Sequence, residues 1–429
     1  LTENEIGIRL RATQQNPSVL PAESLYAIEH DTMDTTFRSM YQGLYIYLSA
    51  RKERRDLLLS QRPPRFDESL DSMISRSEDD FTRIALKAKA AQDYFLLIGP
   101  PGTGKTSCAL KKMVETFHAD KDAQILLLSY TNRAVDEICK SLASIAPAVD
   151  FIRVGSELSC DEAYRGHLIE NELSSCNRRS EVYERIRNCR IIVGTVAAIS
   201  GKPELFRLKH FDVAIIDEAT QILEPQLLGI LCARGEDGKD AIDKFVLIGD
   251  HKQLPAVVQQ NTEQSAIYDE SLLSIGLTNL KDSLFERLYR NCTATVHRSY
   301  DMLCRQGRMH PEVALFANRA FYGGRLIPVG LPHQIESSDT ICRLAFYPSV
   351  PEKAGASAKI NYSEARIVAD LAVRIYEDHQ TDFDESRTLG IITPYRSQIA
   401  LIKKEIESLG IPALNRILVD TVERFQGSE

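Results

Sequence analysis

Eight consecutive residues, Gly99-Pro100-Pro101-Gly102-Thr103-Gly104-Lys105-Thr106, have the types and spacing to hold a nucleoside triphosphate. They fit the pattern G-x-x-x-x-G-K-[ST]. Glycines let the backbone curl until successive N–H groups point into one concavity, and a helix N-terminus behind the loop adds positive potential. In such a loop Lys105 reaches the β- and γ-phosphates and the Thr106 hydroxyl ligates Mg²⁺. The chemistry also needs carboxylates, and Asp217-Glu218 end the apolar run Val213-Ala214-Ile215-Ile216. Asp217 is the expected second Mg²⁺ ligand, and Glu218 the base that orients and deprotonates an attacking water. A further apolar run, Val246-Leu247-Ile248, leads into Gly249-Asp250-His251-Lys252-Gln253. It adds Asp250 to the nucleotide-binding set and Gln253 as a side chain able to reach the γ-phosphate.

These residues must be positioned by strands and helices of the right kind. Tyr94–Ile98 is an apolar run feeding the glycine loop, and Ser107–Val114 is helix-compatible, which is the strand–loop–helix order the motif requires. Further strands are expected at 124–129, 151–154, 190–194, 212–216 and 244–248. Their hydrophobicity is continuous rather than alternating, which indicates burial on both faces and a mostly parallel sheet covered by helices. Residues 156–189 are polar and read as an insertion. A second set of elements follows, with helices expected at 311–320, 362–377 and 396–408 and strands at 388–393 and 416–420. Near the N-terminus residues 5–13 alternate as one half-buried strand, and 33–50 read as a helix with Phe37, Met40, Tyr41, Leu44 and Leu48 on one stripe. The run Arg51-Lys52-Glu53-Arg54-Arg55 reads as a solvated helix end.

The chain has 429 residues and a net charge of −8. That length suits two domains with a smaller appendage. The charge leaves nucleic-acid binding to a local groove rather than to global attraction. The nine cysteines are scattered without a C-x-x-C pair, which suits a reducing, cytoplasmic setting and neither zinc nor an iron–sulfur cluster. No apolar run approaches the ~20 residues of a membrane helix, so no membrane partner is expected. Leu1 is not an initiator methionine, so the sequence reads as part of a longer polypeptide.

Taken in order, the motifs resemble those of superfamily 1B helicases. Gly99–Thr106 resembles motif I, Ser129–Asp136 motif Ia, Asp217–Gln221 motif II and Gly249–Pro255 motif III. Arg308-Met309-His310-Pro311 matches the family's arginine motif. Thr393–Gln398 resembles motif IV, and Asp420–Gly427 the start of motif V. The flanks Glu29-His30-Asp31 and Pro64-Arg65-Phe66-Asp67 are similar to the Okazaki-fragment nuclease–helicase family.

The resemblance implies an α/β fold of two RecA-like P-loop NTPase lobes, residues 76–300 and 301–429. Before them stand the last strand of a small β-barrel at 1–16 and a stalk helix with linker at 17–75. It implies ATP with Mg²⁺ between the lobes, and 5′→3′ tracking along single-stranded DNA or, in the nonsense-mediated-decay branch, RNA. Arg308 would be an arginine finger carried by the second lobe, and Gln426 would touch the nucleotide. Nucleic-acid contacts would fall to Tyr130, Thr131, Asn132, Thr195, Tyr395, Arg396 and Thr421, although each hydroxyl among them could equally cap a helix.

The chain also departs from the family pattern. The adenine-reading glutamine expected before motif I is replaced by Phe81, and the tyrosine before the arginine motif by Gly307. Weak discrimination between ATP and GTP is the expected result. The sequence stops within motif V, so residues 1–429 alone should bind nucleotide better than they hydrolyse it. No Glu-x-Lys triplet marks a nuclease, and a nuclease domain is expected only upstream of Leu1. An ATP-gated clamp that grips without unwinding is the remaining alternative.

Overall fold

In the computed structural model, residues 35–258, 260–295, 297–335, 343–349 and 359–425 are described. The strand expected at 5–13, the barrel segment 1–16 and Gln426 lie outside them.

The strands are β1 (Tyr94–Ile98), β2 (Ile125–Ser129), β3 (Phe151–Val154), β4 (Ile191–Thr195), β5 (Phe211–Ile216), β6 (Ile242–Gly249) and β7 (Tyr300–Met302). They form one sheet in the order β3-β4-β2-β5-β6-β1-β7, and every pairing in it is parallel. β1 and β2 are buried along their whole length. Their side chains therefore serve two cores, one on each face of the sheet. Each fully buried Leu, Ile or Phe there contributes about 1.5–3 kcal/mol, which is why an uninterrupted apolar run is stable only as a central strand. β6 lies between β1 and β5, so the turns leaving these three strands open side by side at the sheet's C-terminal edge.

Four helices flank or support this edge: α1 (Thr35–Ser49), α2 (Asp80–Ala90), α3 (Asn132–Ala143) and α4 (Glu224–Leu231). α1 forms where its periodicity predicts, but the stripe read from sequence is not the one that packs. Phe37, Tyr41, Leu44 and Leu48 are exposed, while Gly43 faces α4 and Ile46 and Tyr47 pack on the core. The reason is a glycine pair. A Cβ on Gly43 would lie 2.3 Å from the Pro225 carbonyl oxygen, and one on Gly229 would lie 3.1 Å from the Gly43 Cα. Two backbones approach that closely only where both side chains are missing, and apolar periodicity carries no trace of it.

Residue 300, where the first lobe was expected to end, is inside β7, which pairs with β1. Met302, Leu303, Tyr322 and Leu326 all belong to the cores of this sheet, so the chain stays with the first lobe well past that point. Helix α5 (Pro311–Phe321) and the short parallel pair β8 (Arg305–Gln306) and β9 (Ile327–Pro328) complete the segment. A separate core comes next along the chain. Helices α6 (Tyr362–Asp378) and α7 (Arg396–Ser408) pack on the parallel pair β10 (Gly390–Ile392) and β11 (Leu418–Asp420) through Ala365, Ala369, Ile391, Ile402, Ile406 and Val419.

Candidate nucleotide site

The glycine loop leaves β1 and enters a helical turn at Lys105–Leu110 that opens on i to i+5 hydrogen bonds, with Ala109 N–H donating to the Gly104 carbonyl at 2.9 Å. With Thr131, Arg133 and Lys140 from α3 and its cap, Asp217, Glu218, Gln221, Gln253 and Arg308, the loop lines a cleft of about 290 Å³. Residues as much as 153 positions apart in sequence, Pro100 to Gln253, are thereby gathered at the C-terminal ends of β1, β5 and β6, because a parallel sheet delivers all its strand-end turns to one edge. A larger cleft of about 740 Å³ opens at the opposite end of the sheet, beside Asp93, His210 and Ala241, and contains none of the motif residues.

Within the site the polar groups satisfy one another. The Lys105 ammonium pairs with the Glu218 carboxylate, and both side chains are largely buried. The Thr106 hydroxyl donates to Asp217 Oδ2 at 2.6 Å. Gln221 Nε2 donates to Glu218 Oε2 at 2.9 Å. Burial opposes the charge on Lys105, but Glu218 and then Asp217 outweigh it and push its pKa up. The Asp217 carboxyl is also raised, by burial first and by the neighbouring Glu218 charge second. Glu218 holds a left-handed backbone, φ 53 and ψ 35, which costs a non-glycine residue roughly 1–2 kcal/mol. That conformation turns the carboxylate out of the strand direction and toward the phosphate loop.

Arg308 stands against the phosphate loop, by a route different from the one expected. Gly307 N–H donates to the Gly102 carbonyl at 2.8 Å. A Cβ on Gly102, which has φ +72, would stand 2.4 Å from the Arg308 Cβ. Arg308 was expected on the second lobe, but its backbone rests on the phosphate loop through a segment that shares the first lobe's core. Two buried glutamines hold that segment. Gln306 Oε1 accepts from Arg308 N–H at 3.0 Å and Met309 N–H at 2.8 Å, and Gln334 Nε2 donates to the Gln306 and Met309 carbonyls at 3.0 Å each. His310 caps α5, its Nδ1 accepting from Glu312 N–H at 3.3 Å.

Asp250 does not line the cleft; it lies behind it, 1% exposed, and accepts from Gln253 Nε2 at 2.8 Å. Phe81, near the start of α2, reaches within 3.5 Å of where a Cβ on Gly104 would be. Gly307 bonds the loop at Gly102, and a Cβ on it would lie 3.1 Å from Val329 Cγ2 and 3.3 Å from Leu331 Cδ1. Thus both positions expected to read the base border the phosphate loop, and they offer neither an amide nor an aromatic ring at 307.

The residues expected to touch nucleic acid fall at strand ends. Tyr130 and Thr131 follow β2, and Thr195 ends the adjacent β4, with Ser129 and Thr195 in register. The Thr131 hydroxyl oxygen caps α3 by accepting from Ala134 N–H at 3.2 Å, and that of Thr195 accepts from Ala198 N–H at 3.1 Å. Each hydroxyl keeps its own proton to donate. Asn132 is the first residue of α3. Tyr395 and Arg396 are exposed at the start of α7, and Thr421 follows β11. The sequence reading gave Gln221 no role beyond its place in motif II and missed Gln306, Gln334 and Tyr322; Gln334 and Tyr322 act on partners 25 or more residues away in the chain.

Two family models, both described as AAA domain, match this chain, one over residues 76–182 and 169–261 and the other over 280–429. Together the two matches and the order of the motifs make the chain similar to the superfamily 1B helicases. The human DNA replication ATP-dependent helicase/nuclease DNA2 is 28% identical over 97% of this chain and 40% of its own length. The Arabidopsis thaliana helicase/nuclease JHS1 is 28% identical over 98% of this chain and 31% of its own length. The Saccharomyces cerevisiae DNA polymerase alpha-associated DNA helicase A is 22% identical over 94% and 66%. The chain therefore spans about 40% of the human relative it matches. A solved complex of arterivirus nonstructural protein 10 (helicase) with DNA aligns at TM-score 0.37 and 14% identity, over 80% of this chain and 63% of that one. No helix among the described residues is long and apolar enough to cross a membrane.

Proposed function

We propose that this chain is the motor of an ATP-dependent 5′→3′ helicase or translocase on single-stranded DNA. The observation that carries the proposal is the convergence of Lys105, Thr106, Asp217, Glu218, Gln253 and Arg308 on one cleft. Thr106 and Asp217 offer adjacent hard oxygens, the donor type Mg²⁺ prefers, and would hold it there, where its charge would offset that of the β- and γ-phosphates. With nucleotide bound, Lys105 exchanges Glu218 for phosphate oxygens, and Glu218 is released to act on water. As water attacks the γ-phosphorus, Glu218 takes its proton, while Lys105 and Arg308 stabilise the growing negative charge on the equatorial and leaving oxygens. Gln253 faces the same space and helps to place the water.

The 5′→3′ polarity is taken from the resemblance to superfamily 1B, and DNA over RNA from the names of the relatives. Tyr130, Thr195, Tyr395 and Thr421 are assigned to the strand because each stands at or just past the C-terminal end of a parallel strand or at the helix that follows. The scattered free thiols support an intracellular, reducing location. A nuclease active site is assigned to none of the residues described.

The test is steady-state hydrolysis by the full-length protein with ATP or GTP, alone and with single-stranded DNA or RNA, followed by strand displacement on 5′- and 3′-tailed duplexes. We expect DNA to stimulate turnover by about tenfold or more, ATP and GTP to serve comparably, and only 5′-tailed duplexes to open. Greater stimulation by RNA would transfer the motor to RNA. Nucleotide-dependent gripping without displacement would leave a clamp.

A further inference from the structure

Asp250 is almost fully buried, yet the donors that hold its carboxylate are neutral. Tyr322 Oη donates to Oδ2 at 2.7 Å, Gln253 Nε2 to the same oxygen at 2.8 Å, and Lys252 N–H to Oδ1 at 3.0 Å. A carboxylate only accepts, so the NH₂ end of the Gln253 amide is turned toward Asp250 and its orientation depends on where that carboxylate stands. Tyr322 is 6% exposed within the core that also contains Leu326. It directly follows α5, the helix that opens at Pro311, three residues after Arg308. One end of α5 is therefore tied to the arginine loop and the other to the carboxylate behind Gln253.

We propose that Tyr322 is a positioning residue for hydrolysis: its hydroxyl fixes Asp250, which aims the Gln253 amide into the phosphate cleft. This rests on the motor reading of the same site. Asp250 is set further from beneath, because Gly249 packs on Thr220 and a Cβ at 249 would lie 2.9 Å from Thr220 Cγ2. Motif II therefore limits where the carboxylate can go, and the phenol supplies a restraint from the far end of α5. Without the hydroxyl, Oδ2 keeps one donor and the amide gains rotational freedom. Nucleotide binding draws on the loop, Lys105 and Thr106, none of which contacts Tyr322. The loss should therefore appear in kcat and not in affinity.

The experiment is a double-mutant cycle in the full-length protein with Tyr322→Phe, Gln253→Ala and the pair, reading DNA-stimulated kcat, KM and the affinity for a non-hydrolysable ATP analogue. Tyr322→Phe should lower kcat by roughly tenfold with KM and analogue affinity unchanged within about twofold. In the Gln253→Ala background it should have no further effect, because the residue it serves is gone. Asp250→Asn, which keeps the shape, should show the same split and covers the case where the phenylalanine variant folds poorly. Additive losses in the pair would overturn the assignment, as would a Tyr322→Phe enzyme with wild-type kcat. A wild-type protein that turns over no nucleotide would instead sink the motor reading, and the assignment with it.

Discussion

Replacing Glu218 by glutamine tests the resting lock of the site. In the structure Lys105 is not free to meet a phosphate, because it is paired with Glu218 in a largely buried setting. A triphosphate must break that pair and then lie beside the uncompensated Glu218 charge. Glu218→Gln keeps the volume and the possibility of a bond from Gln221, which now donates 2.9 Å to Oε2. It replaces the ion pair with Lys105 by a hydrogen bond from the ammonium to a neutral amide oxygen, and the lost charge–charge part is worth roughly 1–1.5 kcal/mol. Removing the repulsion between carboxylate and γ-phosphate adds a comparable amount at the effective dielectric of a part-buried site. The sum, about 2–3 kcal/mol, corresponds to roughly 30- to 150-fold tighter nucleotide binding. The assay is equilibrium titration of a fluorescent non-hydrolysable ATP analogue, so that slow turnover cannot imitate tight binding. Hydrolysis should fall at least 100-fold in parallel. An affinity within twofold of wild type would refute the lock, and unchanged turnover would refute the base.

Gly102→Ala should uncouple Arg308 from the phosphate loop: φ +72 costs alanine roughly 1–2 kcal/mol, and the new methyl would sit 2.4 Å from the Arg308 Cβ. Turnover should then fall about as far as in Arg308→Ala, and full activity in Gly102→Ala would show that this docking is dispensable. The third prediction concerns acid. Burial, and then the Lys252 charge, hold the His251 imidazole down from its ordinary 6.5 to about 4. The unfolded chain therefore takes up this proton first, so stability falls as pH drops from about 6.5 toward about 4, by roughly 3 kcal/mol, and is level on this account above 6.5. His251→Phe, which keeps a ring against Tyr289 (4.9 Å between centroids), should flatten that part of the melting-temperature profile; an equally steep profile would mean the acid sensitivity lies elsewhere.

Much of the architecture was legible because parallel strands buried on both faces must be written as unbroken apolar runs. β1 and β3 begin and end where their runs do, and β2 and β4–β6 lie within two residues of theirs. The site's core was legible for a related reason. Lys105 and Thr106 follow their glycines at fixed spacing, and Asp217-Glu218 end a strand, so local sequence records the chemistry. What escaped was everything that depends on close approach between distant segments. The buried face of α1 is set by Gly43 meeting Gly229, and glycine adds nothing to an apolar stripe. Arg308 sits on the phosphate loop because Gly102 and Gly307 leave room for one backbone on another, an arrangement that places it with the first lobe.

The sequence by itself determined the inventory: a phosphate loop, two carboxylates, a glutamine and an arginine, in the order of superfamily 1B, on alternating strands and helices. Only the tertiary structure decided how they are held. It set Lys105 against Glu218 and Thr106 against Asp217, put Asp250 behind the cleft rather than in it, and tied it to Tyr322. The physical reason is range. Propensity, periodicity and strand-end turns act over a few residues and are written locally, whereas a buried charge is settled by whichever donors the packed chain brings within about 3 Å of it.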